Sequence, residues 1–129
     1  MISFQAFRQT DGTPIYLQII RYIQQGLAAG TIRDGDELPS RRVLSSLLAV
    51  NPNTVQKAFR LLEDEGLVTS RAGAKSYIQA APEQIAVLRR ELLETELQTM
   101  VDVARRMGLT REEAHRLLDT LYDKEGTDA

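Results

Sequence analysis

Val50-Asn51-Pro52-Asn53-Thr54-Val55-Gln56-Lys57-Ala58-Phe59 divides into a break and a helix. Asn51 is a good helix N-cap, and Pro52 suits the first helical position, where a missing N–H costs nothing. Val55, Ala58, Phe59 and Leu62 then recur at helical spacing, and Gly66 ends the run near Glu65. The other side of this helix is polar throughout: Asn53, Thr54, Gln56, Lys57 and Arg60. The same cap appears just upstream, where Ser40 opens a short helix with Val43, Leu44, Leu47 and Leu48 as its apolar face. Two helices separated by so tight a break form a helix-turn-helix.

Further upstream, Thr13 reads as an N-cap and Pro14 as the first residue of another helix. Tyr16, Ile19, Ile20, Ile23 and Leu27 give it one apolar face to about Ala29, and Gly30 stops it. Phe4 and Phe7 belong to a small N-terminal arm. Thr31 to Pro39 reads as a loop. Beyond Gly66 the period moves towards two. Leu67-Val68-Thr69-Ser70 and Ser76-Tyr77-Ile78-Gln79 read as strands of a hairpin, joined across Arg71-Ala72-Gly73-Ala74-Lys75.

Ala80-Ala81-Pro82 reads as a hinge, followed by a long helix from Glu83 to Met107. Its stripe is Leu93, Leu97, Met100, Ala104 and Met107, widened by Ile85, Leu88 and Leu92. After Gly108, Thr110 and Glu113 form a capping box for a last helix, with Ala114, Leu117, Leu118, Leu121 and Tyr122 inward and a frayed tail from Lys124. The expected fold is mainly α with a small β-hairpin: a winged helix-turn-helix over 1–80 and a two-helix dimerisation segment over 83–123.

Composition narrows the function. Of 129 residues, 43% are hydrophobic, enough for a core, while zero Cys removes disulfides, thiolate metal sites and cysteine nucleophiles. The single His, His115, leaves no histidine cluster for a metal. No apolar run spans a bilayer and no signal-peptide profile opens the chain, so a cytoplasmic protein without membrane association is expected. Carboxylates lie on helix faces with no phosphate loop or nucleophile elbow beside them. The expectation is therefore a protein that is not an enzyme and has no cofactor or metal.

A net charge of −2 speaks against a nucleic-acid partner only until it is divided along the chain. Residues 1–82 carry nine basic and seven acidic side chains, whereas 83–129 carry seven and eleven. From Ser40 to Leu62 there are four cations, Arg41, Arg42, Lys57 and Arg60, and no acid. From Thr69 to Pro82 there are two, Arg71 and Lys75, again without an acid. A surface that meets phosphates needs this one-signed pattern, while an ordinary solvated face mixes its signs. Asn, Gln and Thr suit base edges in the major groove; Lys57 and Arg60 suit phosphates. Ser40, Arg41 and Arg42 offer a phosphate the amino end of a helix. Gly73 lets the hairpin turn approach DNA closely.

Leu38-Pro39-Ser40-Arg41-Arg42-Val43-Leu44, then Leu48 through Ala58, then Leu62-Glu63-Asp64-Glu65-Gly66-Leu67-Val68 together resemble the GntR family of bacterial transcriptional regulators. Pro14-Ile15-Tyr16-Leu17-Gln18-Ile19 adds to the likeness, which covers roughly residues 10–79. The resemblance implies DNA contacts from Arg42, Asn51, Asn53, Thr54, Gln56 and Gly73. The chain departs from the family pattern in two places: Arg41 stands where many relatives have glutamate, and the wing, usually glycine, any residue, glycine, here runs Gly73, Ala74, Lys75. The short helical tail resembles the YtrA subfamily, which implies a homodimer, double-stranded DNA with an inverted repeat as partner, repression, and an operon that often holds an ABC transporter. The residues agree. A two-helix segment with so wide a stripe cannot bury both faces alone, so Leu88, Leu92, Leu93, Leu97, Met100, Ala104, Met107, Leu117, Leu118 and Leu121 should meet a second copy. A small-molecule effector is left open, and Tyr22 is a candidate to line its pocket. The competing reading is a winged-helix protein-interaction module without DNA readout.

Overall fold

In the computed structural model, which describes residues 1–71 and 75–128, the elements run α1 Ile15–Ala29, α2 Arg41–Leu48, α3 Pro52–Asp64, β1 Val68–Arg71, β2 Lys75–Ile78, α4 Pro82–Arg106 and α5 Arg111–Asp128. They fall into two compact units, Met1–Arg90 and Glu91–Ala129. The opening turns of α4 therefore belong with the first unit.

α1 begins one residue later than the sequence suggests. Pro14 is extended (ψ 139°) and takes the N-cap position without a side-chain cap. The buried Gln18 does the fastening that Thr13 was expected to do. Its Nε2 donates to the Thr10 and Thr13 carbonyls, both at 2.8 Å, and its Oε1 accepts the Thr10 N–H at 2.9 Å. A buried amide with its hydrogen bonds made ties the preceding loop to the helix more fully than a threonine hydroxyl would. Ile19, Ile23 and Leu27 form the inward side. Gly30 closes the helix in the left-handed conformation (φ 84°). The N-terminal arm lies where expected: Phe4 stacks on Tyr22 at 4.8 Å, Phe7 meets it edge-on at 5.5 Å, and the Tyr22 hydroxyl donates to the Ser3 carbonyl. Tyr22 thus serves the core.

Ser40 caps α2 by accepting the Val43 N–H at 3.1 Å. The apolar face expected for this helix is wrong in part. Leu44 is fully buried and Leu48 half-buried, but Val43 and Leu47 are 53% and 62% exposed. The buried arc is turned towards Leu44 and Ser45, and the Ser45 hydroxyl donates to the Arg42 carbonyl at 3.4 Å. Ala49 then turns the chain in the left-handed region (φ 56°), and Asn51 caps α3 by accepting the Asn53 N–H at 2.8 Å. Val55, Ala58, Phe59 and Leu62 are all buried, where α3 packs on α1 and α2.

The strands pair antiparallel with Val68 opposite Ile78, Thr69 opposite Tyr77, Ser70 opposite Ser76 and Arg71 opposite Lys75. The segment before α2, read from sequence as loop, adds its backbone to the free edge of β2. Leu38 donates to the Ser76 carbonyl, Ile78 to Asp36 and Gly35 to Ile78, at 2.8–2.9 Å. The Ser70 hydroxyl also donates to the Glu63 carboxylate, joining the hairpin to α3. Ala80-Ala81-Pro82, read from sequence as a hinge, is tied by hydrogen bonds to the elements before and after it. Ala80 is buried with its N–H on Asp34, Ala81 donates to Gln84, and Gln84 reaches the Gly66 carbonyl.

In the second unit the capping box forms as read: Thr110 N–H donates to Glu113 at 3.0 Å, and Glu113 N–H to Thr110 Oγ1 at 3.1 Å. α5 continues to Asp128, past the expected fraying at Lys124. The Thr110 backbone N–H first, and then the Thr110 side chain, hold the Glu113 carboxyl below the ordinary carboxylate range. A lowered folded value means the contribution to α5 is present above the ordinary range and is lost as pH falls through the folded value. An NMR titration should find Glu113 ionising more acidically than a free glutamate, with α5 helicity falling over the same interval and the Glu113→Gln chain lacking that step. A Glu113 value at or above the ordinary range would contradict the cap.

Gly26 packs closely against Ile32. A Cβ there would lie 2.4 Å from Ile32 Cδ1 and 2.6 Å from Cγ1, while the Gly26 carbonyl accepts the Ile32 N–H. Gly26→Ala should lower stability by about 1–3 kcal/mol in denaturant unfolding, because Ile32 is buried and must be displaced. An unchanged or higher midpoint would show that Ile32 yields freely.

Candidate nucleic-acid interface

The burial of Val55, Ala58, Phe59 and Leu62 fixes which residues α3 leaves outside. Asn53, Gln56, Lys57 and Arg60 are exposed at helical spacing along one face, with Thr54 half-buried at its edge. All five occupy the side expected from the sequence. Asn51 is exposed but partly committed: its Oδ1 caps α3, which leaves its amide NH2 for a ligand. The Ser40 hydroxyl is likewise used as a cap, beside exposed Arg41 and Arg42 in the first turn of α2. The amino ends of α2 and α3 are both free of acidic residues in their first turns. Their dipoles therefore favour an anion without a competing carboxylate.

The acids of α3, Glu63 and Asp64, lie at its carboxyl end, one turn beyond Arg60. Glu63 lies ten residues beyond Asn53, about 15 Å along the helix axis. Its carboxylate accepts the Ser70 hydroxyl, and Glu65 accepts from Gln24.

The hairpin supplies the remaining cations. The pairs Thr69–Tyr77 and Arg71–Lys75 share one face of the two-stranded sheet, since alternate residues point the same way. Arg71 and Lys75 are exposed. Gly73 and its neighbours Ala72 and Ala74 lie outside the described residues.

Two ring contacts add to what the sequence reading found. Lys57 Nζ sits 4.1 Å from the centre of the Tyr16 ring, joining α3 to α1. The Arg71 guanidinium sits 4.6 Å from the centre of the Tyr77 ring. Both distances fall within the range of cation–π attraction. The first pair joins residues far apart in the chain, so no spacing rule could reveal it. The second has a local signal, a cation diagonal to a tyrosine across a hairpin.

The residues assigned to self-association divide by burial. Leu88 is buried in the first unit, and Leu92 and Ala104 are half-buried. Leu93, Leu97, Met100, Met107, Leu117, Leu118 and Leu121 are between 49% and 78% exposed in the single chain. Among the described residues no group of His, Cys, Asp and Glu could hold a metal, and no helix is long and apolar enough to cross a membrane.

The profile of a family described as bacterial regulatory proteins, gntR family, matches residues 15–78. The HTH-type transcriptional repressor YtrA of Bacillus subtilis (strain 168) is 34% identical over 106 residues, covering 81% of this chain and 82% of that protein. A GntR family transcriptional regulator from Listeria monocytogenes superposes with a TM-score of 0.79 at 28% identity, over 87% of this chain and 98% of the other. YtrA from Sulfolobus acidocaldarius, a GntR-family transcription factor, gives a TM-score of 0.56 at 31% identity, over 78% and 99%. The helix-turn-helix, the hairpin that follows it and the likeness to YtrA over most of both chains agree: the chain belongs to the GntR family of bacterial transcriptional regulators.

Proposed function

We propose that this regulator is a homodimeric repressor that reads an inverted-repeat operator, with residues 1–80 on DNA and 83–123 joining the two copies. The observation that carries this is the exposed, acid-free stripe of Asn53, Gln56, Lys57 and Arg60 on α3. Asn53, Thr54 and Gln56 face base edges in the major groove, where amide and hydroxyl groups distinguish base pairs. Arg41, Arg42, Lys57 and Arg60 meet phosphates, and Arg71 and Lys75 hold the backbone beside the hairpin. The name of the Bacillus relative, a transcriptional repressor, supports the sign of the regulation. The subfamily resemblance supports control of the protein's own operon, with ABC-transporter genes in it.

The dimer follows from exposed Leu93, Leu97, Met100, Leu117, Leu118 and Leu121. Side chains of this size, exposed on both helices, find their partner in the same surface of a second copy. Two linked heads then compensate for the modest charge of each, because the second head binds at high effective concentration.

Fluorescence anisotropy with a duplex from the protein's own promoter tests this. Thr54→Ala or Gln56→Ala should relax discrimination against altered base pairs by about 1–3 kcal/mol per lost contact. Arg60→Ala should weaken all duplexes alike and reduce the salt slope by about one. Leu97→Asp should give a monomer by sedimentation and lose operator affinity. Binding without salt sensitivity or sequence preference would contradict DNA readout, and a Leu97→Asp dimer would contradict the assigned interface.

A further inference from the structure

Two cations of the proposed DNA face each rest on a tyrosine: Lys57 on Tyr16 at 4.1 Å and Arg71 on Tyr77 at 4.6 Å. We infer that Tyr16 and Tyr77 are positioning residues for DNA binding, each holding one phosphate-binding cation in place before DNA arrives. The inference rests on the DNA reading given above.

Lysine and arginine side chains on a bare surface sample many rotamers, and that freedom is lost when they close on a phosphate. A ring beneath the cation removes part of the loss beforehand. Tyr16 is suited to this because it is half-buried on α1, which packs on α3, so the ring is set by the core. Tyr77 is half-buried too, in β2 between its pairing with Thr69 and the backbone of Glu37.

The contact leaves the cation able to act. An ammonium over a ring presents one side to the π face, while its other N–H donors point outward. A guanidinium over a ring keeps its edge N–H groups for a phosphate, the geometry in which arginine binds oxyanions bidentately. The two pairs lie on different elements, one under the reading helix and one on the hairpin, so each phosphate contact has its own support.

A purely structural role makes a different expectation. If the ring contacts only join α1 to α3 and strand to strand, removing a ring lowers stability and leaves DNA affinity of the folded protein unchanged.

The test uses the full chain and random-sequence duplex DNA of about 40 base pairs, because phosphate contacts are read without sequence. Kd is measured between roughly 50 and 200 mM salt, with thermal melting as a check of folding. Lys57→Ala should weaken binding and reduce the salt slope by about one. Tyr16→Leu should raise Kd about two- to fivefold with Lys57 present and add nothing in the Lys57→Ala background, while Tyr16→Phe keeps wild-type affinity. If Tyr16→Leu lacks a melting transition, Tyr77→Leu with and without Arg71→Ala reads the same coupling at the hairpin. Equal losses in both backgrounds, or no loss on removing the ring, would overturn the positioning role alone. A wild-type chain with no affinity for duplex DNA would overturn the DNA reading and the inference together.

Discussion

Burial of one side of α3 sets what the other side is able to do. Val55, Ala58, Phe59 and Leu62 are closed off against α1 and α2, and each contributes up to roughly 1.5–3 kcal/mol, except for the smaller alanine. A shift of one residue would rotate the helix by about 100° and bury Gln56 or Lys57 in their place. That alternative is strongly unfavourable, because an unpaired buried cation is among the most destabilising groups a core can hold. The core therefore dictates the outward stripe of Asn53, Gln56, Lys57 and Arg60. In this domain stability and recognition are decided by the same helical register.

The hairpin depends on that register at one remove. Two strands of four residues have little stability alone. Here Val68 and Ile78 are buried, Ser70 is bonded to Glu63 of α3, and residues 35–38 supply a third backbone along β2. The same segment runs directly into Pro39 and Ser40, so fixing β2 also fixes where α2 begins. Arg71 and Lys75 consequently have a defined place relative to Ser40, Arg41 and Arg42. The capture of Ala80 by Asp34 and of Gly66 by Gln84 extends this rigidity into the first turns of α4.

Much of this was readable from the chain. Caps at Ser40, Asn51 and Thr110 were legible because each depends on a side chain reaching two or three residues along, which spacing reports directly. The buried set of α3 was legible because thirteen residues give a helical period room to declare itself. α2 has eight, and its four apolar side chains do not say which of them the core accepts, so the spacing points Val43 and Leu47 inward although both are exposed. Non-local choices were invisible. Nothing in the residues near Thr13 shows that Gln18 will replace it, that Gly26 must admit Ile32, or that residues 35–38 will pair with β2. At the candidate interface the polar types and their side of the helix came from sequence. The rings beneath Lys57 and Arg71 required the fold. Ala80-Ala81-Pro82 looked like a hinge because small residues and proline often form one; the anchoring side chain, Asp34, lies 46 residues upstream.

Which surface meets DNA decides how this regulator works. The most direct measurement is an amide NMR titration of the full chain with a duplex from its own promoter. The expected result is that the largest shifts fall on Ser40 to Arg42, Asn51 to Arg60, Arg71 and Lys75, while residues 91–124 keep their positions. Shifts concentrated in residues 91–124, with Asn53, Gln56, Lys57 and Arg60 unmoved, would contradict it.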